Sequence, residues 1–93
     1  MRVISNKTLK LFAEKYPLAD KPLQEWRKHI EKSHFDSFSD LKQMFNSVDK
    51  AGEYYVFDIS GNRYRLIAAI HFNTQILYVR EIMTHSSYNR WKP

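Results

Sequence analysis

The chain is 93 residues long, 43% hydrophobic and 15% aromatic, with two glycines and no cysteine. That composition excludes a disordered segment, a disulfide framework and a thiolate metal site, and it fits one domain with a modest core. The formal net charge is +5, and no apolar run approaches the roughly 18 residues of a membrane span or resembles a signal peptide, so a cytoplasmic protein with no membrane partner is expected.

Arg2–Ser5 reads as a short strand, with Ser5 or Asn6 capping the helix that follows. Over residues 7–16, Leu9, Phe12, Ala13 and Tyr16 recur at helical spacing, while Leu11 falls off that face. Pro17 ends this helix, because the residue before a proline is pushed out of the α region. A second helix runs from Asp20 to Lys32, capped by Asp20, with Pro22 in its first turn and Leu23, Trp26 and Ile30 as its apolar face. Ser37 and Asp40 form a variant capping box for a short third helix at 38–45, with Leu41, Met44 and Phe45 inward. Residues 46–52 read as a polar connector that turns at Gly52.

The remainder reads as sheet. Tyr54–Ile59, Tyr64–Phe72 and Ile76–Met83 are rich in β-branched and aromatic residues, with turn material at Ser60–Asn62 and Asn73–Thr74. The expected fold is α+β. An antiparallel sheet of about four strands, Val3–Ile4 included, packs against two to three N-terminal helices in one domain over residues 1–93.

Strand side chains alternate between faces. Arg63, Arg65, Ile67, Ala69 and His71 then share one face, and Tyr64, Leu66, Ala68 and Ile70 form the core face. In the next strand Ile76, Tyr78, Arg80 and Ile82 oppose Leu77, Val79, Glu81 and Met83. Pairing through the Asn73–Thr74 turn brings Arg80 near Arg65, and such like charges destabilise a sheet unless an anion lies between them. A helical turn after Thr84 puts His85 and Tyr88 on one side. Histidine suits proton transfer, and tyrosine suits hydrogen bonding to a substrate.

Charge is unevenly spread. Residues 1–59 hold ten basic and nine acidic side chains, whereas residues 60–93 hold five basic and one acidic, and four of those five are arginines. The guanidinium fork matches phosphate oxygens. There is no glycine-rich phosphate loop, no H-E-x-x-H and no carboxylate cluster beside the histidines, so neither a cofactor nor a metal is expected. Arg, His and Tyr suit chemistry on RNA, whose 2′-hydroxyl is an internal nucleophile needing only a proton acceptor, a proton donor and cations on the phosphate. Two other readings stay open. A non-catalytic nucleic-acid-binding module would keep the basic face and need no His85. A scaffold protein would pair its arginines with Asp58 and Glu81. Trp26 reads as core and Trp91 as a docked C-terminal anchor.

The run Y-Y-V-F-D-I-S-G-N-R-Y-R-L-I-A-A-I (54–70) followed by L-Y-V-R-E-I-M-T-H-S-S-Y (77–88) resembles the HigB-type toxins of bacterial toxin–antitoxin pairs. These belong to the wider RelE-like group of messenger-RNA endoribonucleases, or mRNA interferases. The family pattern matches at Gly61, Asn62, Arg65, Arg80, Thr84, His85 and Tyr88. It departs at Ser60, where a second glycine is common, and at Asn89, where an aspartate is common. Ser60 is tolerated unless its φ must be positive.

The resemblance implies a small cytoplasmic toxin that cleaves mRNA, usually on the translating ribosome, without a metal. Its catalytic residues would be Arg65 and Arg80 on the scissile phosphate, His85 in proton transfer and Tyr88 orienting the RNA or assisting that transfer. Arg63, Asn62, Thr84, Arg90 and Lys92 would contact RNA. The partners implied are mRNA, the ribosome and a cognate HigA-type antitoxin with a helix-turn-helix domain, with operator DNA bound only through the antitoxin complex.

Overall fold

The computed structural model describes residues 1–93. Its elements are β1 (Arg2–Ile4), α1 (Thr8–Lys15), α2 (Asp20–Glu31), α3 (Phe38–Met44), β2 (Asp49–Ala51), β3 (Tyr54–Ile59), β4 (Tyr64–His71), β5 (Ile76–Thr84) and α4 (His85–Tyr88), with a 3-10 turn at Pro17–Ala19 leading into α2. The α+β class is as expected. The sheet has five strands in the order β1-β5-β4-β3-β2, one more than the sequence suggested. The additional strand is β2, inside the stretch read as a polar connector. Its three residues, Asp-Lys-Ala, carry no hydrophobic alternation, and it joins by backbone pairing with β3, Lys50 opposite Tyr55. β1 lies parallel to β5, so the sheet is mixed rather than wholly antiparallel.

The helices differ from expectation at their ends. Neither Ser5 nor Asn6 caps α1 through its side chain. Asn6 and Lys7 instead take left-handed φ values of 46° and 72°, and Ser5 O accepts from Thr8 N at 2.8 Å. Asp20 makes no side-chain cap either, since the 3-10 turn already feeds α2 from Ala19. Ser37 does cap α3, accepting from Asp40 N at 3.3 Å. Asp40 returns its carboxylate to Asp36 N at 2.9 Å, so the box closes one residue upstream of its usual place. Met44, expected inward, is exposed, because α3 ends there and Phe45 takes the inward place, edge-on to Phe57.

One face of the sheet meets the helices. Leu23, Ile30 and Leu41 pack there against Phe57, Leu66 and Leu77, all fully buried. Each such side chain contributes on the order of 1.5–3 kcal/mol of burial. β4 and β5 reach that face through a bulge. Ile67 pairs with Glu81 but Ala68 pairs with Val79, leaving Arg80 as the extra residue. The bulge resets the alternation. Leu77, Val79 and Ile82 all reach the core face, whereas Arg80, Glu81 and Met83 lie on the open one. Simple alternation had put Ile82 with Arg80.

On the open face Val56 and Ile67 stand opposite each other, buried although they lie outside the helix-side core. The C-terminal segment lies over this side. Trp91, Lys92 and Pro93 line a hollow with Tyr54, Ile67, Arg80 and Glu81, and Trp91 packs edge-on to Tyr54. No helix is long and apolar enough to cross a membrane.

Candidate functional site

Arg65 is the centre of the polar cluster. It leaves the core side of β4 for the open face, directly opposite Asp58 on β3. A four-residue turn, Ser60–Arg63, joins the two strands, with Ser60 at φ 56° and Gly61 at φ 65°. The turn carries Asn62 back over the arginine. Arg65 is only 8% exposed, and a charge so enclosed needs partners. Its Nε lies 3.1 Å from Asp58 Oδ1, its Nη1 donates to Tyr64 O at 3.2 Å, and its Nη2 donates to Asn62 Oδ1. Nη2 also lies 3.1 Å from His85 Nδ1.

α4 brings the histidine there. Thr84 is its N-cap, with Oγ1 accepting from Ser87 N at 3.2 Å. His85 N donates to Arg63 O at 2.9 Å, tying the start of this helical turn to the β3–β4 turn. Three residues on, Tyr88 places its ring against the Arg65 guanidinium, 5.6 Å from centroid to Cζ. The expected sharing of one side by His85 and Tyr88 is therefore realised around Arg65. Trp91 stacks on Tyr88 at 5.8 Å and 21° and donates from Nε1 to Glu81 Oε2 at 2.9 Å.

A guanidinium can only donate, so its contact makes Nδ1 of His85 the acceptor and leaves the ring proton on Nε2. His85 itself is exposed, and its Nε2 has no protein partner. The arrangement offers a hydrogen-bond donor and a phenol on the open face, beside a nearly enclosed cation.

Arg80 is not part of this cluster. Arg65 faces Met83 across β4 and β5, three residues beyond Arg80, or about 10 Å along the strand. Arg80 is exposed, makes no ion pair and lies over the Tyr78 ring, 5.7 Å from its centroid. The carboxylates that a scaffold would give it are engaged elsewhere, Asp58 with Arg65 and Glu81 with Trp91. Arg63 and Arg90 are exposed near the cluster in sequence, and Lys92 lines the hollow shared with Arg80.

In the sequence, Asp58 and Glu81 enter only as ion-pair partners of the arginines in a scaffold, and the structure realises that pairing for Asp58 with Arg65 while Glu81 holds Trp91 instead. Counting outward from the Ser60–Arg63 turn pairs Ile59 with Tyr64 and then Asp58 with Arg65, which identifies the first pair. Glu81 as the anchor of Trp91 had no such signal, because a tail's path leaves no periodicity.

A family model described as HigB_toxin, RelE-like toxic component of a toxin–antitoxin system, matches residues 19–91. The chain is 38% identical over 92 residues to the mRNA interferase toxin HigB of Escherichia coli (strain K12), covering 96% of this chain and 88% of that protein. The mRNA interferase HigB of Shigella flexneri matches to the same extent. The mRNA interferase HigB of Escherichia coli O6:H1 is 28% identical over 93 residues, 97% of this chain and 90% of that one.

Proposed function

The chain belongs to the HigB family of RelE-like toxic components of toxin–antitoxin systems, and from that membership we propose that it is an endoribonuclease that cuts messenger RNA. The observation that carries the reading to a site is the meeting of His85 and Tyr88 at Arg65, on the side of the sheet the helices leave open.

The chemistry uses the RNA's own 2′-hydroxyl. Its oxygen attacks the adjacent phosphorus and gives up its proton to a base. The bond from phosphorus to the 5′-oxygen breaks, and that oxygen takes up a proton. The products are a 2′,3′-cyclic phosphate and a free 5′-hydroxyl. His85 and Tyr88 are the groups placed to serve the oxygens in this exchange, and each proton transfer so assisted contributes about 10²–10⁴-fold. Cationic side chains oppose the charge gathering on the phosphoryl oxygens. Arg63, Arg80, Arg90 and Lys92, with Asn62 and Thr84 at the turns, extend contacts along the RNA backbone. No surface hollow is lined by Arg65, His85 or Tyr88, so the chain alone offers no groove to hold a strand there, which favours a message held in line by the translating ribosome in the cytoplasm. A cognate helix-turn-helix antitoxin restrains the enzyme and carries the complex to operator DNA.

A translation extract with a defined message tests this. Cuts with 5′-hydroxyl ends are expected from the wild type on ribosomes, and His85→Ala should lower the rate by about a hundredfold or more. Because His85 is exposed, that variant should keep its fold. The pairing of Arg65 with Asp58 is what a scaffold protein without catalysis would also show. Neither cutting nor retardation of RNA by the wild type, ribosomes present, would establish that second reading, and retardation with no cutting would establish a non-catalytic nucleic-acid-binding module.

A further inference from the structure

We infer that Arg65 is a positioning residue, acting on the reaction through His85 rather than by gripping the scissile phosphate, and that the neighbouring Arg63 supplies the phosphate-binding cation. The inference rests on the ribonuclease reading and assigns roles within that same site.

A guanidinium has five N–H donors. In Arg65 the Nε donor faces Asp58, an Nη1 donor goes to Tyr64 O, and the Nη2 donors go to Asn62 and His85. One N–H on Nη1 is left. A fork on a phosphate needs two parallel donors from the same edge. Arg65 can provide such an edge only by releasing Asp58, Asn62 or His85. One guanidinium face is covered as well, by the Tyr88 ring. What the set of partners does instead is fix the guanidinium from three sides and aim Nη2 at His85 Nδ1. That contact makes Nδ1 the acceptor, so Nε2 carries the proton and turns it toward the open face. His85 therefore presents a donor to a phosphoryl oxygen. Asp58 and Asn62 serve the same end by holding the arginine still.

Arg63 has what Arg65 lacks. It is exposed and makes no ion pair, and its own carbonyl accepts the His85 backbone N–H at 2.9 Å. Its charge is thus anchored at the backbone next to the histidine, with its guanidinium free.

Nitrogen-15 NMR of the histidine rings in the full-length protein reads the tautomer without any activity. The wild type is expected to show His85 with a protonated Nε2 and a bare Nδ1. Arg65→Lys keeps the charge but loses the fork, and Asn62→Ala leaves the Asp58 pair in place should Arg65→Lys fail to fold. Both are expected to return His85 to a mixture of tautomers. In cleavage assays Arg65→Lys should lower kcat about a hundredfold with KM within twofold, the usual result of misplacing a group by an ångström or so. Arg63→Ala should instead raise KM severalfold and leave the His85 spectrum unchanged. An Nδ1-protonated His85 in the wild type overturns the inference. So does Arg65→Lys raising KM with the tautomer unaltered, since that makes Arg65 the phosphate ligand. If the wild type cuts no message at all, the ribonuclease reading fails, and the spectra alone then decide whether Arg65 sets His85.

Discussion

Asp58 and Arg65 stand directly opposite each other across the β3–β4 hairpin, with carboxylate Oδ1 3.1 Å from guanidinium Nε. Removing the carboxylate leaves a nearly enclosed cation short of its counter-charge, and breaking a buried pair this way costs about 3–5 kcal/mol. Asp58 keeps partial contact with water, so the lower end applies. Asp58→Ala should reduce Tm by about 12–24 °C, at roughly 4–8 °C per kcal/mol for a chain of this size. Thermal denaturation followed by circular dichroism measures it. A drop of only about 2 °C would mean that the pair is worth no more than a surface ion pair.

The same hairpin contains a residue under backbone strain. Ser60 has φ 56°, where a side chain costs roughly 1–2 kcal/mol that glycine avoids. Glycine loses more chain entropy on folding, which returns about 0.5–1 kcal/mol of that gain. Ser60→Gly is therefore expected to raise Tm by about 2–8 °C. Gln75 supplies the contrast at nearly the same φ, 58°. Its Nε2 donates to Phe35 O and Phe72 O, and its Oε1 accepts from Phe35 N. Gln75→Gly loses these bonds, each worth about 1 kcal/mol net, and should lower Tm. If both variants moved Tm in the same direction, strain would not be what separates them.

Arg80 stands apart from the Arg65 cluster, with no carboxylate to neutralise it. As an RNA-backbone contact it should add one phosphate to the electrostatic footprint. Arg80→Ala is then expected to weaken RNA binding and to reduce the slope of log affinity against log salt by about 0.7. Binding titrations at several ionic strengths provide the slope. An unchanged slope would take Arg80 out of the RNA path.

The long elements were legible because their signals are strong. Leu23, Trp26 and Ile30 mark a helix face, and the apolar runs of β3 to β5 bound their strands within a residue or two. β2 was missed because backbone pairing alone recruits it. The bulge at Arg80 was readable in principle. Leu77, Val79 and Ile82 are spaced by two and then three, and only an extra residue lets all of them face the core. Strict alternation overlooked this and put Arg80 and Ile82 on one face. For the site, helical spacing placed His85 beside Tyr88, and the family motif singled out Arg65. The number of partners held by Arg65 depends on how the turn folds Asn62 back, which spacing does not specify.

Trp91 links the C-terminal segment to the site, so its loss should be felt in two ways. The indole stacks on Tyr88, donates to Glu81 and lies over the face where Val56 and Ile67 are buried. Trp91→Ala removes partly buried aromatic area, which should cost about 1–2 kcal/mol, below the 3–5 of a fully buried tryptophan. It also frees the Tyr88 ring that covers Arg65, so if Tyr88 serves the cleavage as proposed, message cleavage should fall by about tenfold or more, the order of effect of misplacing a reacting group. Trp91→Phe keeps a ring for Tyr88 while losing the bond to Glu81, and should retain most of the activity. Comparing both variants below their melting temperatures separates the effects. If Trp91→Ala cut RNA as fast as Trp91→Phe, Tyr88 would not depend on the indole, and the tail would contribute stability alone.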